Sequence, residues 1–233
     1  MNRTGCLICG EELVYYNKVK KIKCQYCNKD YETLVTCKNN HYICDSCHSK
    51  LANDHIFQKC VKTDEKDPLK LANILLKDEK ILMHGPEHHF LVPAVLLTTY
   101  YNTIGESDRK QVKLEQARKR AEKILGGFCG SHGVCGAAIG TGIFLSIITN
   151  ATPLSEKEWK LSNEITAKIL KKISAIGGPR CCKRTTFIAI IGAVKFVKEN
   201  LGVDIKINKK SKCEFTELNN ECIKEKCPFY PKK

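Results

Sequence analysis

The segment Gly126-Gly-Phe-Cys129-Gly-Ser-His132-Gly-Val-Cys135-Gly-Ala-Ala-Ile-Gly-Thr-Gly-Ile-Phe-Leu-Ser-Ile-Ile148 decides how the chain is read. A charged amphipathic stretch, Asp108 to Leu125, stops at the glycine pair, and an apolar run from about Val134 or Cys135 to Ile148 follows. Gly136, Gly140 and Gly142 interrupt that run, and it is too short to span a bilayer, so it reads as a buried helix. The grammar returns at Gly177-Gly-Pro-Arg-Cys181-Cys182. There an amphipathic helix, opened by a capping box at Ser155 to Glu158, ends near Ile176, and an apolar helix runs on from about Cys182 or Lys183 to Asn200. Upstream, Asp67-Pro68 is an N-cap with proline at the first helical position, followed by a stripe of Leu69, Ala72, Leu75 and Leu76. A further helix is expected from about Phe90 to Tyr101, with Pro93 in its first turn. Strand is expected at most over Val203 to Ile207 in this part. The fold class is mainly α: a helical bundle over 68–233 whose Gly-Gly-led helix starts carry cysteines. A charged linker at 61–67 joins it to a small two-zinc finger module at 1–60.

The chain has 233 residues, 42% of them hydrophobic, enough for a buried core. No charged-then-apolar leader opens the sequence, because Met1 to Cys9 runs directly into a thiol pair. The 15 cysteines are odd in number and several are in metal spacing. Both facts point to a reducing cytoplasm rather than a secreted disulfide scaffold. The formal charge of +14 suggests nucleic acid at first sight. Metal-bound thiolates offset part of it, however, and most lysines fall on exposed helix faces.

The cysteines divide into two sets. Up to Cys60 they come mostly as pairs: Cys6/Cys9, Cys24/Cys27, Cys37/His41 and Cys44/Cys47 make eight ligands for two zinc ions. Gly10 permits the tight turn that aims backbone amides at the sulfurs, and Tyr15, Val19 and Ile22 suggest a short hairpin between the first two pairs. The pairing can be sequential or cross-braced. The stretch Cys37-Lys-Asn-Asn-His41-Tyr-Ile-Cys44-Asp-Ser-Cys47 resembles the centre of RING-like, treble-clef cross-braced fingers and tilts the reading that way, without implying ubiquitin transfer. His48 and His55, two turns apart on one helix, read as ordinary surface histidines.

From Cys129 onward no CxxC occurs. Two buried helices start at thiols, where unpaired amides and the helix dipole stabilise thiolates or an anionic cluster, and Gly127, Gly130, Gly133 and Gly136 would let backbone approach it. Cys129, Cys135, Cys181, Cys213, Cys222 and Cys227 are therefore candidate ligands of an iron-sulfur cluster, with Cys129, Cys135 and Cys181 ranked first. Cys182 is left as a free or sulfur-carrying thiol. His84-Gly-Pro-Glu87-His88-His89 supplies imidazoles for acid/base chemistry, with His88 as the chosen residue and His132 a further candidate. Arg180 is the candidate substrate anchor.

The motifs His84-Gly-Pro-Glu-His-His-Phe-Leu-Val-Pro93, Gly127-Phe-Cys-Gly-Ser-His-Gly-Val-Cys-Gly-Ala137, Gly178-Pro-Arg-Cys-Cys-Lys-Arg184 and Cys227-Pro-Phe229 resemble an uncharacterised cysteine-rich family, a domain of unknown function, over roughly Leu82 to Tyr230. The resemblance implies a shared site built from these histidines and cysteines and an anaerobic setting in archaea or bacteria, and it supplies no reaction. The first reading is an oxygen-sensitive metalloenzyme with two zinc ions and an iron-sulfur cluster, acting in sulfur transfer or thiol redox chemistry. The second is a zinc-dependent nucleic-acid-binding protein without catalysis, supported by Lys18, Lys20, Lys21 and Lys23 but lacking aromatics for stacking. The third is a sulfur or metal delivery protein working with a donor partner. None requires a membrane.

Overall fold

The computed structural model describes residues 5–208 and 211–231. The outer limits of both expected units, and the first residues of the stretch read for a leader, lie outside the described residues. The cysteine-rich beginning is an antiparallel hairpin of β1 (Leu13–Lys23) and β2 (Asp30–Cys37), which pairs Leu13 with Cys37 at one end and Lys23 with Asp30 at the other, the register shifting between Tyr15 and Lys20. The hairpin expected between the first two cysteine pairs is thus longer and differently placed. Only β1 lies there, and Cys24 and Cys27 occupy the turn, so β2 carries the chain back to Cys37 beside the first pair. Val203 to Ile207 pairs with nothing and is not a strand; among the described residues this hairpin is the whole sheet.

Eight α-helices follow among the described residues: α1 (Asp45–Lys62), α2 (Pro68–Leu76), α3 (Glu87–Ile104), α4 (Lys110–Ala121), α5 (Phe128–Ser131), α6 (Gly136–Ile148), α7 (Lys157–Ile176) and α8 (Cys182–Leu201). Asp67 caps α2 as its sequence requires, accepting from the Leu69 and Lys70 amides at 2.9 and 3.2 Å. The capping box expected at Ser155 does not form. Ser155 Oγ instead closes a turn by accepting from the Thr152 amide, and α7 starts two residues later. α1 starts at its N-cap Cys44 inside the cysteine module, and Ala52, Ile56 and Cys60 on it enter the same apolar core as α2 to α8. The connector after it is fastened rather than loose: Asn102 Nδ2 and Lys110 Nζ donate to the Thr63 carbonyl at 3.1 and 2.7 Å.

α3 is the central helix, buried along nearly its full length and packed by α1, α2, α4, α6 and α8. It begins three residues earlier than expected, which puts Pro93 in its second turn. Proline there has no amide for the His89 carbonyl. α6 passes over this point through its small residues. A Cβ on Gly140 would come within 2.9 Å of Pro93 Cδ, 3.2 Å of Val92 Cβ and 3.3 Å of the His89 carbonyl oxygen. One on Gly136 would strike the His89 ring. Gly136, read above as letting backbone approach a metal cluster, thus serves helix contact, as Gly140 does.

Gly140→Ala is therefore expected to destabilise the fold by about 1–3 kcal/mol through overpacking, at roughly 2–4 °C of Tm per kcal/mol for a chain of this size. Gly130→Ala, whose added carbon meets nothing within 4 Å, should leave Tm within about a degree. Thermal melts of the two variants check the difference.

Candidate metal centres

In the cysteine module the donor atoms of Cys6, Cys9, Cys37 and His41 lie within 4.8 Å of one another, and those of Cys24, Cys27, Cys44 and Cys47 form a second such group. Of the two pairings open in the sequence, this is the cross-braced one. It follows from the hairpin, whose strands set the first and third pairs at one end and the second pair at the other. Contacts of 3.8 Å (Cys9 to Cys37), 3.9 Å (Cys27 to Cys44) and 3.3 Å (His41 Nδ1 to Cys9) are donor separations a single tetrahedral ion can bridge. Three of the four pairs are turned by a residue in left-handed backbone, Gly10, Asn28 and Asn40, whose amides donate to the carbonyls of Cys6, Cys24 and Cys37, while Cys44 and Cys47 open α1. Amides of Ile8, His41 and Cys44 then point at the sulfurs of Cys6, Cys37 and Cys24 at 3.3–3.4 Å. A backbone bond from Glu11 is the main cause that brings Cys9 down to about 6. Burial opposes ionisation of Cys24, yet amides of Cys44, Cys27 and Tyr26 bring it also to about 6. The module could hold two metal ions.

The second set of thiols separates. Cys181, Cys213, Cys222 and Cys227 line one small cavity between the start of α8 and the C-terminal tail, walled by Met83, Phe187, Phe215 and Phe229. Three of these sulfurs receive an amide at 3.4 Å: Cys181 from Arg184, Cys213 from Phe215 and Cys222 from Lys224. This is the arrangement seen around Cys6 in the module. Lys224 adopts φ 48°, which bends the chain so that Cys227 closes onto the same space. Cys213 is pushed up to about 11, first by burial and then by the neighbouring sulfurs of Cys181, Cys227 and Cys222.

Cys129 and Cys135, ranked first as ligands with Cys181, are not in this group. Cys135 is the N-cap of α6 and packs against the core, and Cys129 lies on α5, exposed at a second cavity. Helix starts that look alike in sequence thus face different spaces. The second cavity, about 260 Å³, lies where the hairpin faces the bundle, and Cys129, Cys182, His84, His89 and Arg180 reach it. Cys182 is pushed up to about 12 by burial and stays a neutral thiol at pH 7.

His88, chosen above for acid/base work, reaches neither cavity. It is 1% exposed and spends both ring nitrogens on Thr186 Oγ1 (3.3 Å) and the Leu82 carbonyl (3.1 Å), so it fastens α3 to α8. His132 stacks on Phe128 at the surface, 4.3 Å between ring centroids, away from both cavities. His89 donates through Nδ1 to the Ile124 carbonyl at 3.0 Å.

Two groups escaped the sequence reading. Lys183 is fully buried, its Nζ donating to the carbonyls of Leu76 and Ile81 at 3.2 and 3.3 Å. Asn219 donates through Nδ2 to Cys181 Sγ at 3.7 Å, while its Oδ1 accepts from His84 Nε2 at 3.3 Å and from the Glu221 amide at 3.1 Å. A buried asparagine in a polar tail carries no sequence signal, but a lysine opening an apolar helix, as Lys183 does, could have been noticed.

A family model described as "Family of unknown function (DUF5714)" matches residues 56–230. The match takes in the four-thiol cavity, the His84 to His89 turn and the Cys129 to Cys135 segment, and leaves out the eight donors of the module. No curated protein and no solved structure gives a match.

Glu87, fully buried, accepts from the Leu82 amide through Oε1, and its Oε2 has no partner. Burial raises its carboxyl to about 7, with the Lys183 charge opposing. Because the folded value lies above the unfolded one, the neutral acid's contribution to stability is full below about pH 4.5 and is lost as pH rises through about 7. Glu87→Gln should remove that dependence. The variant is expected to gain on the parent between pH 5 and pH 8 by on the order of 3 kcal/mol, read as a widening Tm difference.

Proposed function

We propose, for a chain that belongs to the family of unknown function DUF5714, that it is a metalloprotein with two kinds of centre. The module's eight donors would hold two zinc ions. Cys181, Cys213, Cys222 and Cys227 would hold an iron-sulfur cluster serving thiol redox or sulfur-transfer chemistry. The observation that carries this reading is the meeting of Cys181 with three thiols of the C-terminal tail around one apolar cavity, with amides aimed at three of the four.

The donor set supports a cluster over a third zinc ion. In the module, groups of four donors lie within 4.8 Å; no three of these four sulfurs do. All-thiolate ligation at a wider spacing suits a cluster better than one small ion. When bound, such a cluster supplies one-electron transfer. The free space between the sulfurs is about 20 Å³, room for about one water, so loading needs the tail to spread. That spreading would have to work against the tail's ties to the bundle, which include Asn219 to Cys181 and His84 and Lys77 to Glu214.

The chain's own residues define the rest. Phe187, Phe215 and Phe229 exclude water, and Asn219 holds a hydrogen toward Cys181 Sγ. Cys181 and Cys182 are consecutive, so the four-thiol centre and the hairpin-facing cavity are one residue apart, and chemistry at one is within reach of the other. Cys129, on the open wall, is the accessible thiol there, and a separate protein would act as electron or sulfur donor.

Anaerobic preparation should give a brown protein containing iron and acid-labile sulfide in addition to two zinc ions. Cys213→Ser and Cys222→Ser should each abolish the visible absorbance and the sulfide while leaving the two zinc ions. A third zinc ion in place of iron, or unchanged absorbance in both variants, would overturn the cluster.

A further inference from the structure

Over the stretch Tyr15-Tyr-Asn-Lys18-Val-Lys20-Lys21 the hairpin leaves regular pairing. Tyr15 lies opposite Val35 and Lys20 opposite Thr33, so the four residues Tyr16 to Val19 answer the single Leu34. A bulge of this kind bends the strand and re-aims its side chains, and bulges gather next to functional sites. Around this one, Tyr15 is 65%, Val19 58% and Leu34 49% exposed, and Lys18, Lys20 and Lys21 are exposed as well.

Two kinds of group meet on this segment. The first is cationic. Lys18 has no partner across the pair, Lys20 faces Thr33, and only Lys21 faces an acid, Glu32. None of the three forms an ion pair among the described residues. Lys20 Nζ rests 3.4 Å from the centre of the Tyr16 ring, whose hydroxyl is 3.1 Å from Thr36 Oγ1, so this cation is held in place. The second is aromatic. Tyr16 is covered by Lys20, but Tyr15 leaves most of its surface open and is a ring for stacking of the kind found wanting in the sequence. It lines both spaces between the hairpin and the bundle, about 260 and 470 Å³, and so does the exposed Arg180, which forms no ion pair among the described residues.

Cations spaced along an extended strand beside a bare ring match a phosphate chain with unpaired bases. A duplex keeps its base faces in its own stack and would leave Tyr15 unused. An acidic peptide would meet the lysines but offer the ring no flat partner. We propose that the β1 bulge binds single-stranded nucleic acid, with phosphates on Lys18, Lys20 and Lys21 and one base stacked on Tyr15. The strand would then continue toward Arg180, along the space that Cys129 and Cys182 also line. The binding does not depend on a cluster at the four thiols.

The test is fluorescence anisotropy of a labelled RNA of about 12 nucleotides without internal pairing, titrated with the full chain as purified. Binding is expected in the micromolar range at about 50 mM salt and should weaken about 50-fold by about 200 mM, because four cations on phosphates give a slope of about −3 in log affinity against log salt. Tyr15→Ala, at a largely exposed position, should weaken binding about fivefold or more, with Tm and metal content unchanged. Lys18→Glu with Lys21→Glu should cut the salt slope to about half. The same reversal at Lys171 and Lys172, exposed on α7, should leave affinity within about twofold. No change in anisotropy up to about 100 µM chain at the lower salt would overturn the proposal. So would equal binding of the same RNA annealed to its complement, equal losses from the two charge reversals, or displacement by polyglutamate as effective as by unlabelled RNA. Iron and sulfide analysis of the same samples keeps its failure separate from failure of the cluster.

Discussion

The ammonium group of Lys183 is sealed inside the protein and makes its hydrogen bonds with two backbone carbonyls, those of Leu76 and Ile81. A cation in such a place is tolerable only while those carbonyls, and the carboxyl of Glu87 nearby, stay where they are. Burial lowers its value to about 8, with Glu87 opposing that loss. The lysine follows Cys181 and Cys182 directly, and the carbonyls belong to the end of α2 and the loop leading to His84. One desolvated charge therefore lashes the start of α8 to the histidine turn. That tie acts with His88, which fastens α3 to α8, to hold the four-thiol cavity and the hairpin-facing cavity in one relation.

The cysteine module depends on this arrangement from the other side. Cys44, a donor of the second group, is the N-cap of α1, and α1 buries Ile56 and Cys60 in the common core. A structural metal site normally stabilises a segment too small to build a core. Here such a site would also anchor one wall of a cavity, because Asp45 in the first turn of α1 holds the Gly126 amide. The high positive charge of the chain is compatible with this role, since seven sulfurs of the module would each bring a negative charge when metal-bound.

Much of the helical framework could be read from the sequence because its signals are local. The Asp67-Pro68 cap, the glycine pairs and the apolar runs each act within one or two turns, and the helices start or stop within a few residues of them. The eight module donors were legible for the same reason, as their spacing is a property of turns. The second set was not. Cys129 and Cys181 sit in similar local contexts, after a glycine pair and before an apolar helix, and only tertiary packing turns one toward the hairpin and the other toward the tail. His88 looked reactive because three histidines cluster, yet α3 starts earlier than its apolar stripe suggests, and the extra turn carries His88 inward. Asn219 and Lys183 act through partners 38 and more than 100 positions away, a separation no spacing rule reaches.

The adjacency of Cys181 and Cys182 has a mechanical consequence. The two spaces on either side of the α8 start share one peptide unit as their partition, so neither can widen there without narrowing the other. A shift of the α8 terminus that relaxed the sulfur of Cys181 toward the tail would move Cys182 away from the histidine turn whose cavity it lines. The protein thus resembles a balance beam with Lys183 as its fulcrum, in which filling either side sets the shape of the opposite one.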